Sequence, residues 1–120
     1  MTAEVLATAS LAALFTFASL IKLLGVQQSL AIRDHLGVAP LQWRVIGLFE
    51  LAGVAGVLVG LVWPPIGVAA AIGLTLLSLG AIGFHVRKSD SLADTAPAVI
   101  GLCLAVATAV LQWMASAGSL

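Results

Sequence analysis

The chain has 120 residues, of which 62% are hydrophobic and only 8% charged, with a mean hydropathy of +1.19. That leaves too little polar surface for a soluble domain of this size and marks a membrane protein. Five Lys+Arg balance five Asp+Glu, so nothing points to nucleic-acid binding or a polybasic membrane patch.

Four apolar runs, each roughly twenty residues and so long enough for a helix to cross a bilayer's hydrocarbon core, divide the chain. The first covers 5–24. Its leader, Met1-Thr2-Ala3-Glu4, holds a carboxylate and no Lys or Arg, and the run is longer than the apolar core of a signal peptide, so it reads as a permanent span. The connection from Gly25 to Arg44 is long. Within it Val26, Leu30, Arg33, Asp34, His35 and Leu36 predict a short helix on the cytoplasmic face that ends at Gly37 and Pro40. The same pattern suits a re-entrant lid, or a solvated helix whose Arg33/Asp34 pair contributes little.

The second run, 45–63, is interrupted by Glu50. A carboxylate in such a segment costs at least ~2.5 kcal/mol on insertion scales, so it needs a partner, a proton or a water-lined cavity. The tight Trp63-Pro64-Pro65 connection makes the second and third runs an antiparallel hairpin. The third run, 66–84, is followed by His85. Gly47, Gly53, Gly56 and Gly60 on one side of the hairpin, and Gly67, Gly73, Gly80 and Gly83 on the other, read as surfaces for close packing within the bundle, with a homodimer contact as the alternative. The fourth run, 96–114, holds the lone Cys103, which is expected in the packed core and has no partner for an intramolecular disulfide.

Orientation follows from the cations. Lys22, Arg33 and Arg44 belong to the first connection, and Arg87 and Lys88 to the third. The positive-inside rule then places these two connections in the cytoplasm and both termini outside, with Trp63 and Trp113 at the outer interface and Trp43 at the inner one. The expected architecture is all-α: one integral membrane four-helix bundle over 1–120, with a short interfacial helix between its first two spans.

In this topology Lys22, Glu50, Arg44 and His85 converge near the cytoplasmic end. At about 100° per residue, Thr8, Phe15, Ser19 and Lys22 share one face of the first helix, and Ala71, Leu74, Ser78, Ala81 and His85 one face of the third. Glu50, Lys22, Arg44 and His85 are therefore the candidates for acid–base chemistry, and Phe15, Ser19, Ser78, Asp34 and His35 for ligand contacts. The plainer alternative is a buried ion pair of Glu50 with Lys22 or Arg44 that fixes helix register. No CxxC, HExxH, G-x-S-x-G or phosphate loop is present, and no residues stand at metal-ligand spacing. The halves share no repeat that would suggest an inverted-repeat transporter.

Taken in order, Lys22-Leu23-Leu24-Gly25, Leu36-Gly37-Val38, the block Ile46-Gly47-Leu48-Phe49-Glu50-Leu51-Ala52-Gly53, and Phe84-His85-Val86-Arg87 resemble the DoxX-like family of small four-span membrane proteins. That family is named for a subunit of an archaeal thiosulfate:quinone oxidoreductase. Its members are linked to membrane redox complexes, to amine-utilisation maturation and, in animals, to receptor chaperoning. The resemblance implies the fold, directs attention to Lys22, Glu50 and His85, brings in a quinone as a lipid-phase ligand, and supplies no reaction. No cofactor ligand is evident in the sequence, which argues against direct electron transfer by this chain.

The sequence supports three functional readings. The leading one is an accessory subunit or lipid-phase ligand-binding protein of a membrane redox or biosynthetic system, meeting an apolar small molecule or a partner membrane protein. The alternative is an intramembrane enzyme in which Glu50, with Lys22, Arg44 or His85, opens an epoxide or isomerises an apolar substrate. The third is a proton-coupled exporter that needs a homodimer to form its pathway.

Overall fold

The computed structural model describes residues 2–118, which form five helices and, among the described residues, no strand. Helix α1 spans Ala3–Leu23 and is capped by Thr2, whose Oγ1 accepts the Val5 N–H at 3.2 Å. Helix α2 spans Gln27–Leu36 and ends at Gly37, whose φ of 73° is left-handed and lets the Val38 N–H return to the Arg33 carbonyl at 3.1 Å. Helix α3, Pro40–Val59, starts five residues before the apolar run suggested. Pro40 opens it instead of merely closing the connection, because proline fits the first helical turn where no N–H is needed. Pro64 and Pro65 do the same for α4, Pro64–Arg87, so the hairpin turn is Gly60 to Trp63 and the prolines belong to the helix. Helix α5, Leu92–Gly118, begins where Ser91 Oγ accepts the Asp94 N–H at 3.1 Å and donates to its carboxylate at 3.0 Å.

Four of these helices, α1, α3, α4 and α5, are long and apolar enough to span a membrane. They pack as a closed ring in which α1 touches α3 and α5, and α4 touches α3 and α5. Neighbours alternate in direction, and α2 lies across the end where α1 finishes and α3 begins. The long dimension is 47 Å, more than the hydrocarbon core of about 30 Å. Leu11, Ala12, Phe15, Val54, Val57, Ala71, Leu74 and Ala105 fill the centre. Leu6, Phe17, Leu48, Phe49, Leu76, Leu79, Ile100 and Val110 are exposed around the outside, a surface that lipid suits and water does not.

The glycines of α3 are what let the ring close. A Cβ on Gly53 would lie 2.5 Å from Leu74 Cδ2 and one on Gly56 2.5 Å from Ala70 Cβ, while Gly60 and Gly67 bring the two backbones of the hairpin together. Gly73, Gly80 and Gly83 differ from expectation: a Cβ at each meets nothing within 4 Å. The inner face of α4 is Gly67, Ala71, Leu74 and Ser78, and helical periodicity turns the later glycines outward. Phase also overturns the placement of Cys103, which is exposed; the buried face of α5 is Thr95, Gly101, Ala105, Thr108 and Gln112. Trp43 is no interfacial belt residue either. It is 7% exposed and packed with Leu36 and Val38, because α2 folds over it.

Candidate functional site

At the α2 end, Gly47 faces the last turn of α1, where an added Cβ would lie 3.2 Å from both Lys22 Cβ and Leu23 Cγ. That approach brings α1 and α3 together one turn before Glu50, and Lys22 Nζ lies 2.9 Å from Glu50 Oε1. Glu50 is 5% exposed. The pair is incompletely bonded: Oε1 is within reach of the ammonium yet receives no aligned hydrogen bond, and Nζ otherwise donates to the Ala18 carbonyl at a long 3.4 Å. Lys22 also stands 5.0 Å from the centre of the Trp43 ring, a cation–π distance. The indole N–H of Trp43 in turn donates to Ser29 Oγ on α2 at 3.0 Å. Trp43 therefore connects the ion pair to the covering helix.

The α2 end also holds a cluster that the sequence did not reveal. Ser89 takes a left-handed φ of 54°, which turns the chain back so that the Asp90 N–H bonds the His85 carbonyl at 3.0 Å. The Asp90 carboxylate then reaches two imidazoles, with Oδ1 2.6 Å from His35 Nε2 and Oδ2 2.6 Å from His85 Nδ1. Hydrogen bonds from His35 first, and from His85, hold the Asp90 carboxyl below the usual carboxylate range. One carboxylate thus ties α2 to the end of α4.

The remaining sequence candidates divide. His85 bonds Asp90 and not Glu50. Arg44 is exposed and forms no ion pair among the described residues. It lies on the outer face of α3, since the inward positions are Trp43, Gly47 and Glu50. Asp34 pairs with its neighbour Arg33 at the surface. Phe15, Ser19 and Ser78 are buried, but the two hydroxyls are engaged by their own helices, Ser19 donating to the Thr16 carbonyl at 3.0 Å and Ser78 to that of Leu74 at 2.9 Å. Phe15 and Ser78 fill the space that Gly101 leaves open.

A second polar layer sits near the other end of the bundle, where Thr8, Thr108 and Gln112 are all fully buried. Its signal in the sequence was the spacing of Thr108 and Gln112, one turn apart within an otherwise apolar run. The apolar centre, from Leu11 to Phe15 on α1 and from Val54 to Val57 on α3, separates the two layers.

Recesses open outward. One of about 490 Å³ lies between α3 and α4, lined by Phe49, Ala52, Gly53, Ala70, Gly73, Leu74, Leu76 and Leu77. None of these side chains can donate a hydrogen bond to a quinone carbonyl, so the recess suits a hydrocarbon chain and does not fit a quinone head. No group of His, Cys, Asp and Glu among the described residues is arranged to hold a metal ion. A family model described as DoxX-like matches residues 6–108. No curated protein and no solved structure matches the chain.

Proposed function

The chain belongs to the DoxX-like family, and on that premise we propose that it is a small accessory protein of the membrane whose Lys22–Glu50 pair engages the polar group of a lipid-phase molecule or of a partner membrane protein. The observation that carries this reading is the incomplete bonding of the pair. Two opposite charges are held 2.9 Å apart inside the bundle, yet the buried Glu50 Oε1 receives no aligned hydrogen bond and keeps unused lone pairs. In a low-dielectric surrounding such unused capacity is costly unless another group takes it up. Lys22, Arg33, Arg44, Arg87 and Lys88 all lie toward the α2 end, which supports a cytoplasmic placement of that end and outside termini.

An enzymatic role for the same pair is the second reading. An ammonium and a carboxylate in contact but imperfectly aligned can each turn to a substrate, Glu50 as base or acid and Lys22 as its complement. A proton path through a single copy is disfavoured by the apolar layer between the two polar ones.

The test is native mass spectrometry of the chain gently extracted from its own membrane, with lipid extraction in parallel, for the natural sequence, Glu50→Gln and Lys22→Met. The expected result is a stoichiometric molecule or partner that the natural chain retains and both variants lose while staying helical. Equal retention in all three would remove the pair from function. Turnover of the retained molecule by the purified chain would move the assignment to an enzyme.

A further inference from the structure

Helix α2 is fastened lightly to the spans. Of its ten residues only Ser29 and Leu36 are buried, and they share one face about two turns apart. Leu36 packs with Val38 and Trp43, and Ser29 Oγ accepts the Trp43 indole N–H at 3.0 Å. Beside Leu36, His35 Nε2 lies 2.6 Å from Asp90 Oδ1. The other side chains of α2 are half-buried or exposed, so little apolar area resists its lifting. Both flanks are glycines in the left-handed region, Gly25 at φ 67° and Gly37 at φ 73°, and a Cβ at either would meet nothing within 4 Å. With no side chain to restrict their dihedrals or wedge them in place, these are points where the chain can turn.

What α2 holds down is Trp43, and Trp43 in turn meets the ion pair, its ring centre 5.0 Å from Lys22 Nζ. On the reading of that pair as a site, we propose that α2 is its lid, hinged at Gly25 and Gly37 and latched by Asp90, and that lifting it frees Trp43 and admits a polar group to Lys22 from the aqueous end. As Ser29 withdraws, the indole N–H loses its acceptor and the ring can turn off the ammonium, giving up the cation–π contact. The latch is anchored on its other side. The Asp90 N–H bonds the His85 carbonyl at 3.0 Å and Oδ2 meets His85 Nδ1 at 2.6 Å, so only the bond to His35 has to break. A helix built permanently into the bundle would bury a continuous apolar stripe, and α2 buries one leucine and one serine.

Lys22 and Lys88 are the only lysines of the chain, and Lys88 is exposed, so acetylation by a water-soluble ester reports Lys22 against an internal reference. The full chain in nanodiscs, where both faces meet water, is reacted briefly and each lysine is read by peptide mass spectrometry. In the natural chain Lys22 should react more slowly than Lys88. Ser29→Ala, which leaves the Trp43 N–H without its acceptor, and His35→Ala, which opens the latch, should each raise the ratio of Lys22 to Lys88 modification about tenfold, the effect of one hydrogen bond on an opening equilibrium. Thr8→Ala, in the polar layer at the other end, should not raise it. A natural Lys22 as reactive as Lys88, a ratio unmoved by both α2 variants, or one raised as much by Thr8→Ala would overturn the lid. The readout uses no ligand, so lid and site fail separately. An unmoved ratio with a molecule that only the natural chain retains would remove the lid and keep the site. A ratio that rises as expected, with equal retention by the natural chain, Glu50→Gln and Lys22→Met, would keep the motion and remove the site.

Discussion

The Gln112 carboxamide on α5 donates to Thr8 Oγ1 on α1 at 3.1 Å, and the same nitrogen reaches the Val57 carbonyl on α3 at 3.0 Å. Its other end, Oε1, has no hydrogen-bond partner and lies against the Cα positions of Gly60 and Gly67. A side chain on either glycine would overlap both that oxygen and the opposing backbone. Gly60→Ala and Gly67→Ala should therefore each destabilise the bundle by about 1–3 kcal/mol, the usual cost of overpacking. Gly73→Ala, in open space on the same hairpin, should be neutral or stabilising by up to about 1 kcal/mol through helix propensity. Unfolding of the three variants in a graded series of denaturing detergent checks the contrast, and equal effects would refute it.

The Lys22–Glu50 pair makes a prediction about coupling. Removing one member leaves a buried charge without its partner, which costs about 3–5 kcal/mol, whereas removing both leaves no charge to bury. Lys22→Met should thus destabilise more than the double variant Lys22→Met/Glu50→Gln. A double-mutant cycle on unfolding in detergent reads this directly. Strictly additive effects would show that the two groups do not interact in the folded bundle.

How much of this was visible in the sequence depended on which physical rule governed each residue. Lipid demands a long apolar run for every span, so four helices could be placed from hydropathy, and a carboxylate among them needs a cation, so Glu50 pointed toward Lys22 or Arg44, of which the structure pairs it with Lys22. Hydropathy does not report which side of a helix a residue occupies once the whole run is apolar. Cys103, Gly73, Gly80 and Gly83 are accordingly expected inside, whereas the buried positions are Thr95, Gly101, Ala105, Thr108 and Gln112 on α5 and Gly67, Ala71, Leu74 and Ser78 on α4. Asp90 escaped notice because its partners are His85 through a left-handed turn at Ser89, and His35 from a helix far back in the chain. His85, expected beside Glu50, is held by that aspartate.

Asp90 gives the α2 end an acid limit. Its folded-state pKa is depressed by hydrogen bonds from His35 and His85, so the stability it contributes is present above the unfolded value near ~3.9 and is lost as pH falls through the lower folded value. Protection of the α2 amides from hydrogen exchange, corrected for the intrinsic pH dependence, should accordingly persist through the ordinary carboxylate range and disappear only below it. Asp90→Asn should weaken that protection at neutral pH and leave the protection of α1 and α5 unchanged. Loss of α2 protection in the natural chain above pH ~4.5, where an ordinary aspartate is still ionised, would contradict the assignment.

Cys103 tests the placement of α5 in the bilayer without any substitution, as it is the only cysteine of the chain. It is exposed in the middle of a 27-residue apolar helix, so the solvent it meets is hydrocarbon. A nitroxide attached there in liposomes should be relaxed efficiently by oxygen, which concentrates in the bilayer, and weakly by a water-soluble nickel chelate. The buried neighbour Ala105, replaced by cysteine in a Cys103→Ala background, should resist labelling or destabilise the bundle when labelled, because the packed interior has no room for the probe. A nitroxide at Cys103 that the chelate relaxes more strongly than oxygen would mean that this face of α5 meets water, and the ring of four lipid-facing helices would have to be redrawn.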